Sequence, residues 1–131
     1  MAEMMTERKG RILVMDDEEI VRTVVVEMIR VLGHDTESAE NGDDAIKKFN
    51  QAKEAGSPFD IVILDLTVKG GMGGDWAVGK LRKIDPHIKA IVSSGYSDDP
   101  VISDYRSYGF ASFLKKPYMI NTLRESLNAL L

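Results

Sequence analysis

DIVILDLT, residues 60–67, holds an unbroken aliphatic run, Ile61 to Leu64, that ends on a carboxylate, Asp65. Pro58 precedes it, and the glycine-rich stretch Gly70-Gly71-Met72-Gly73-Gly74 follows. A short apolar run punctuated at both ends, with no polar residue alternating into it, reads as a strand buried on both faces, as in a parallel sheet. The same pattern recurs upstream, where residues 11–15 stop at Asp16-Asp17, and downstream, where residues 88–93 run into Ser94-Gly95. Weaker strands are expected over 35–39 and 111–114, the latter leading into Lys115-Lys116-Pro117.

Helices are expected between them. Over 18–32 the apolar residues Ile20, Val24, Met28, Val31 and Leu32 recur at helical spacing, and Gly33 stands where a left-handed cap belongs. Asn41-Gly42 precedes a helix over 43–55 with Ala45, Ile46 and Phe49 inward and Gly56 closing it. Further helices are expected over 75–84, stopping before Pro86, over 99–108, ending at Gly109, and over 119–130. Five strands alternating with five helices imply right-handed crossovers and a doubly wound parallel sheet, flavodoxin-like, with strand order 2-1-3-4-5. In such sheets the ligand site lies outside the carboxyl ends of the strands. Asp16, Asp17, Asp65, Ser94 and Lys116 all fall there.

The 131 residues suit one domain, read as an extension over 1–10 and a folded unit over 11–131. Apolar residues make up 44% and charged residues 29%, the balance of a folded globular chain, and no apolar run approaches the roughly 20 residues that span a bilayer. A cytoplasmic protein without a membrane partner is expected. The absence of cysteine excludes disulfides and thiolate chemistry, and a net charge of −4 argues against direct nucleic-acid binding. His34 and His87 read as isolated surface residues, and the glycines from Gly70 to Gly74 lack the lysine and hydroxyl of a nucleotide-binding loop, leaving a flexible connection.

Three carboxylates gathered at one edge repel one another unless a cation joins them. Mg²⁺ takes oxygen ligands, commonly one or two carboxylates with water and phosphate oxygens completing the octahedron. Lys116 and the Ser94 hydroxyl would add a charge and a donor for a phosphoryl group, and one carboxylate could be the nucleophile. Ser93 competes with Ser94 for the hydroxyl role, but alternation along the strand aims it to the other side.

With Asp16-Asp17, Asp65 in ILDLT, Ser94-Gly95 and Lys116-Pro117 after four successive strand ends, the chain resembles the receiver domains of two-component response regulators over nearly its whole length. The resemblance implies phosphorylation of Asp65 by a sensor histidine kinase or a histidine phosphotransfer protein. It implies Mg²⁺, with Mn²⁺ as a substitute, held by Asp17, Asp65 and the backbone carbonyl of Thr67, with Asp16 acting through water. Lys116 would hold the phosphoryl oxygen beside a cis peptide, Ser94 and Phe113 would move together as the switch, and Thr67 and Tyr96 would set the phosphoryl lifetime. Homodimerisation through the fourth and fifth helices is a further implication. The VKGGMGG and SSGYSDDP stretches look most like receivers attached to hybrid sensor kinases. Lys69 departs from the proline common at its position, and Phe113 lacks the hydroxyl of the commoner tyrosine.

Two other readings compete. An aspartyl-nucleophile phosphatase also places an aspartate after a parallel strand, but Asp65-Leu66-Thr67 lacks its second aspartate. A receiver-like docking module that is never phosphorylated would have no need of the three acids, the hydroxyl and the lysine.

Overall fold

A computed structural model describes residues 9–69, 71–95 and 99–131. Its elements are β1 (Arg11–Met15), α1 (Glu19–Val31), β2 (Asp35–Ala39), α2 (Gly42–Glu54), β3 (Ile61–Asp65), α3 (Gly74–Ile84), β4 (Lys89–Ser94), α4 (Pro100–Ser103), β5 (Ser112–Lys115) and α5 (Ile120–Leu130), with a 3-10 turn at Tyr105–Tyr108. The five strands form one parallel sheet in the order β2-β1-β3-β4-β5. The doubly wound, flavodoxin-like expectation is met.

Alternation along the strands divides the interior into two cores. Leu13, Met15, Val62, Leu64, Ala90 and Val92 face α2 and α3, where Ala45, Phe49, Val78 and Leu81 meet them. Ile12, Val14, Ile61, Ile63, Ile91 and Leu114 face α1 and α5, against Val25, Ile29, Leu123 and Leu127. Burying a Leu, Ile, Val or Phe side chain is worth about 1.5–3 kcal/mol, so these two layers dominate the favourable side of folding. The central strand β3 is buried throughout.

Three departures from the sequence expectations have physical reasons. In α1 the buried face is Val25 and Ile29, continued by Leu32, whereas Ile20 is 80% exposed and Val24 and Val31 are also outward. The helix is apolar on more than one side, so periodicity marked its existence without fixing its rotation. The helix expected over 99–108 breaks at Asp104, whose φ of −138° and ψ of 43° are not helical. Pro100 and the Asp99 cap start it, but β-branched Val101 and Ile102 followed by Ser103 and Asp104 sustain it poorly. His34 is buried, not at the surface: its Nδ1 accepts the Gly10 N–H at 2.8 Å. Burial holds its pKa below the ordinary histidine value, against the opposing charges of Asp60 and Asp35.

The three glycines read as helix closures, Gly33, Gly56 and Gly109, all adopt left-handed φ. At the edge where the strands begin, Gly10 packs so closely that a Cβ there would lie 2.8 Å from a Leu131 methyl.

Candidate functional site

Strand parity decides which side chains meet at the opposite edge. Asp16 continues the Ile12, Val14 series, Asp65 the Ile61, Ile63 series, and Lys116 the series of Leu114, so all three turn toward the layer of α1 and α5. There the Lys116 ammonium lies between the two acids, 2.6 Å from Asp16 and 3.1 Å from Asp65. The adjoining cavity is lined by Asp17, Glu18, Asp65, Thr67, Lys69, Ser94, Gly95 and Lys116. Asp16, Asp65 and Ser94 are buried, while Asp17 and Lys116 are partly open and Thr67 is exposed. The Lys116-Pro117 bond is cis.

The main chain fixes Asp16 firmly. Its N–H donates to the Ala39 carbonyl at 3.1 Å, its own carbonyl accepts from Arg22 Nη1 at 2.9 Å, and its Oδ1 accepts the Glu18 N–H at 2.9 Å. Arg22, drawn from the first turns of α1, also reaches Glu40 at 3.8 Å. Asp17 is held differently: its Oδ2 accepts the Lys69 N–H at 3.0 Å, joining the loop after β1 to the loop after β3.

Burial raises the Asp65 carboxyl to a pKa of about 7; Lys116 opposes the rise, while Asp16 and Asp17 add to it. The site without a cation is therefore poised near half-protonation at neutral pH. Burial alone would lower the Lys116 ammonium, but its hydrogen bonds and charge contacts with Asp16 and Asp65 outweigh that and keep it above the ordinary lysine value. Tyr118, two residues on, is raised above the ordinary phenol value by burial and by Asp16, despite the opposing hydroxyl of Ser93, and so stays protonated.

Carboxylate oxygens of Asp16, Asp17 and Glu18 lie within 4.8 Å of one another, spacing that a hard divalent cation can bridge. With Asp65 alongside, four acids face Lys116 and Lys69, and Asp16 and Asp17 add to the rise that burial imposes on Asp65. The donor set thus fits Mg²⁺. It is all oxygen, acidic and partly open to water.

Ser94, as expected, reaches this cavity, and Ser93 does not line it. Phe113 lies in register with Val92 and packs half-buried against the core on the α2 and α3 side, the same side as Ser94 by parity. Tyr96 and Gly70 lie outside the described residues. Glu18, Arg22 and Tyr118 were not singled out in the sequence. Glu18 adjoins the acid pair and was legible as a third carboxylate; Arg22 and Tyr118 act through packing that no local pattern announces.

A family model described as "Response regulator receiver domain" matches residues 12–128. Chemotaxis protein CheY of Thermotoga maritima is 30% identical over 119 residues, 90% of this chain and 94% of its own length. Sensor kinase CckA of Brucella abortus is 30% identical over 120 residues, 92% of this chain but 12% of that much longer protein. Among solved structures, response regulator protein TrrA of Thermotoga maritima in complex with Mg(2+)-BeF superimposes with a TM-score of 0.80 at 32% identity, covering 93% of this chain and 99% of that one. The parallel sheet, the acids at its edge and a family match spanning both place this chain in the response regulator receiver domain family of two-component signalling.

Proposed function

We propose that the chain relays a signal by accepting a phosphoryl group on Asp65, with a divalent cation held by Asp17, Asp65 and the Thr67 carbonyl and with Asp16 acting through water. The observation that carries this reading is the Lys116 ammonium seated between Asp16 and Asp65 at the carboxyl edge of the sheet. A lysine there is placed to take the charge of a phosphoryl oxygen, and a buried acid poised near neutrality needs only a cation to become a carboxylate nucleophile. The matched TrrA structure, a complex with Mg(2+)-BeF, supports the choice of cation.

In the transfer, an Asp65 oxygen bonds to phosphorus as the phosphorus–nitrogen bond of a donor phosphohistidine breaks, and the released imidazole takes a proton from solvent. Mg²⁺, or Mn²⁺ in its place, held by Asp17, Asp65 and the Thr67 carbonyl, would supply charge neutralisation for the phosphoryl oxygens. Lys116 then pairs with the product, while the Ser94 hydroxyl turns toward the new anion, which carries roughly 1.5–2 negative charges. Ser94 and Phe113 lie on the same side of β4 and β5, so the vacated space is open to Phe113. The surface of α4, β5 and α5 is remodelled for a docking partner or a second copy, as a shift between two packings. Thr67 and Tyr96 set how long the acyl phosphate persists. The chain is a signalling module, and its chemistry is confined to its own Asp65.

Intact mass after incubation with acetyl phosphate or phosphoramidate tests this. Wild type gains one phosphoryl group only with Mg²⁺ present, and Asp65→Asn gains none. A folded wild type that gains none with either donor is instead a docking module without phosphorylation.

A further inference from the structure

Among the described residues, the Asp17 carboxylate is oriented by one hydrogen-bond donor. Asp16 is gripped by Lys116 and the Glu18 N–H, and Asp65 by Lys116. Asp17 is half-buried, and among the described residues only one hydrogen bond reaches its side chain, the 3.0 Å donation from the Lys69 main chain. That donor exists because residue 69 is not proline, the residue common at this place in the resemblance noted above; proline has no N–H to give. The lysine side chain itself is exposed and lines the same cavity, so its charge and its amide are separable contributions.

A carboxylate with one oxygen engaged loses rotational freedom before the cation arrives and presents its other oxygen to it. Outer partners of this kind typically change metal affinity by 10–100-fold when removed. We propose that the Lys69 main-chain N–H is a positioning group for the divalent cation, fixing Asp17 Oδ2 and ordering the loop after β3 against the loop after β1. The inference rests on the reading of Asp17 as a cation ligand.

Calorimetric titration of the full chain with MgCl₂ tests it with two variants at one position. Lys69→Pro, which deletes the N–H, is expected to weaken Mg²⁺ binding by about tenfold or more. Lys69→Ala, which keeps the N–H and removes the ammonium, is expected to bind at least as tightly as wild type, because a nearby positive charge is lost. Equal affinity in wild type and Lys69→Pro overturns the positioning role while leaving the cation reading intact. Absence of Mg²⁺ binding by wild type overturns both. Hydrogen exchange on the metal-free chain gives a second measurement that does not depend on the proline variant folding. The Lys69 amide should exchange several-fold more slowly in wild type than in Asp17→Ala, and equal rates overturn the inference.

Discussion

Asp65 is a carboxyl whose burial works against its own charge. With a folded pKa of about 7 against an ordinary value near 4, it favours the native state when protonated, and that contribution is lost as pH rises through 7. Replacing it with asparagine should therefore stabilise the metal-free protein at pH 8. A three-unit shift, which already includes the opposing pull of Lys116, corresponds to roughly 4 kcal/mol at 1.36 kcal/mol per unit, so the gain should amount to a few kcal/mol, several degrees or more in melting midpoint. The difference between Asp65→Asn and wild type should shrink as pH falls from 8 toward 4, and also on adding Mg²⁺. An unchanged midpoint at pH 8 contradicts the strain assigned to this carboxyl. At this scale the sequence was informative where strand ends gathered like chemistry: Asp16, Asp17, Asp65, Ser94 and Lys116 are all brought to one edge. It was uninformative for His34, which is buried and paired with the Gly10 N–H from the segment before β1, and for the Lys69 amide, since a main-chain donor has no residue signature.

Apart from the helix expected over 99–108, which breaks at Asp104, single elements were legible to within a residue or two because each ends on a physical signal. Asn41 illustrates how: its side chain accepts the Asp44 N–H at 2.9 Å and starts α2. Rotation of α1 was not legible, because valine and isoleucine occupy both its buried and its exposed faces. The ends of the α4 region show a second kind of signal. Gly109 has φ of 101°, and a Cβ there would lie 2.6 Å from Arg82 Cδ, whereas Gly56 has φ of 79° with open space around it. Gly56→Ala should cost about 1–2 kcal/mol from backbone strain alone. Gly109→Ala should cost more, since the Arg82 side chain must also leave its place over the turn. Urea unfolding of both variants measures the difference, and equal losses would mean that Arg82 moves aside freely.

Across the whole molecule, the exposed apolar residues of α1 border the chemistry. Ile20 and Val24 join Val21, Val25, Met28, Pro117 and Tyr118 around an apolar groove, and Lys116 lines both that groove and the acid-lined cavity. Under the phosphoryl-transfer reading proposed above, a protein donor that reaches Asp65 would cover this groove. Ile20→Asp, at an 80% exposed position, should leave stability within about 0.5 kcal/mol of wild type. It should slow phosphoryl transfer from a histidine kinase by tenfold or more while leaving the rate with acetyl phosphate unchanged. Equal slowing with both donors would place the defect in the pocket and not in docking.

The packing of Gly10 against Leu131 has a practical corollary. Both stand at the edge where the strands begin, and every acid of the pocket stands where they finish. A fluorophore, a surface anchor or a fused neighbour joined near either of these residues departs from the pole opposite Asp65. Such a handle leaves the acid-lined pole facing outward, open to any partner that docks there.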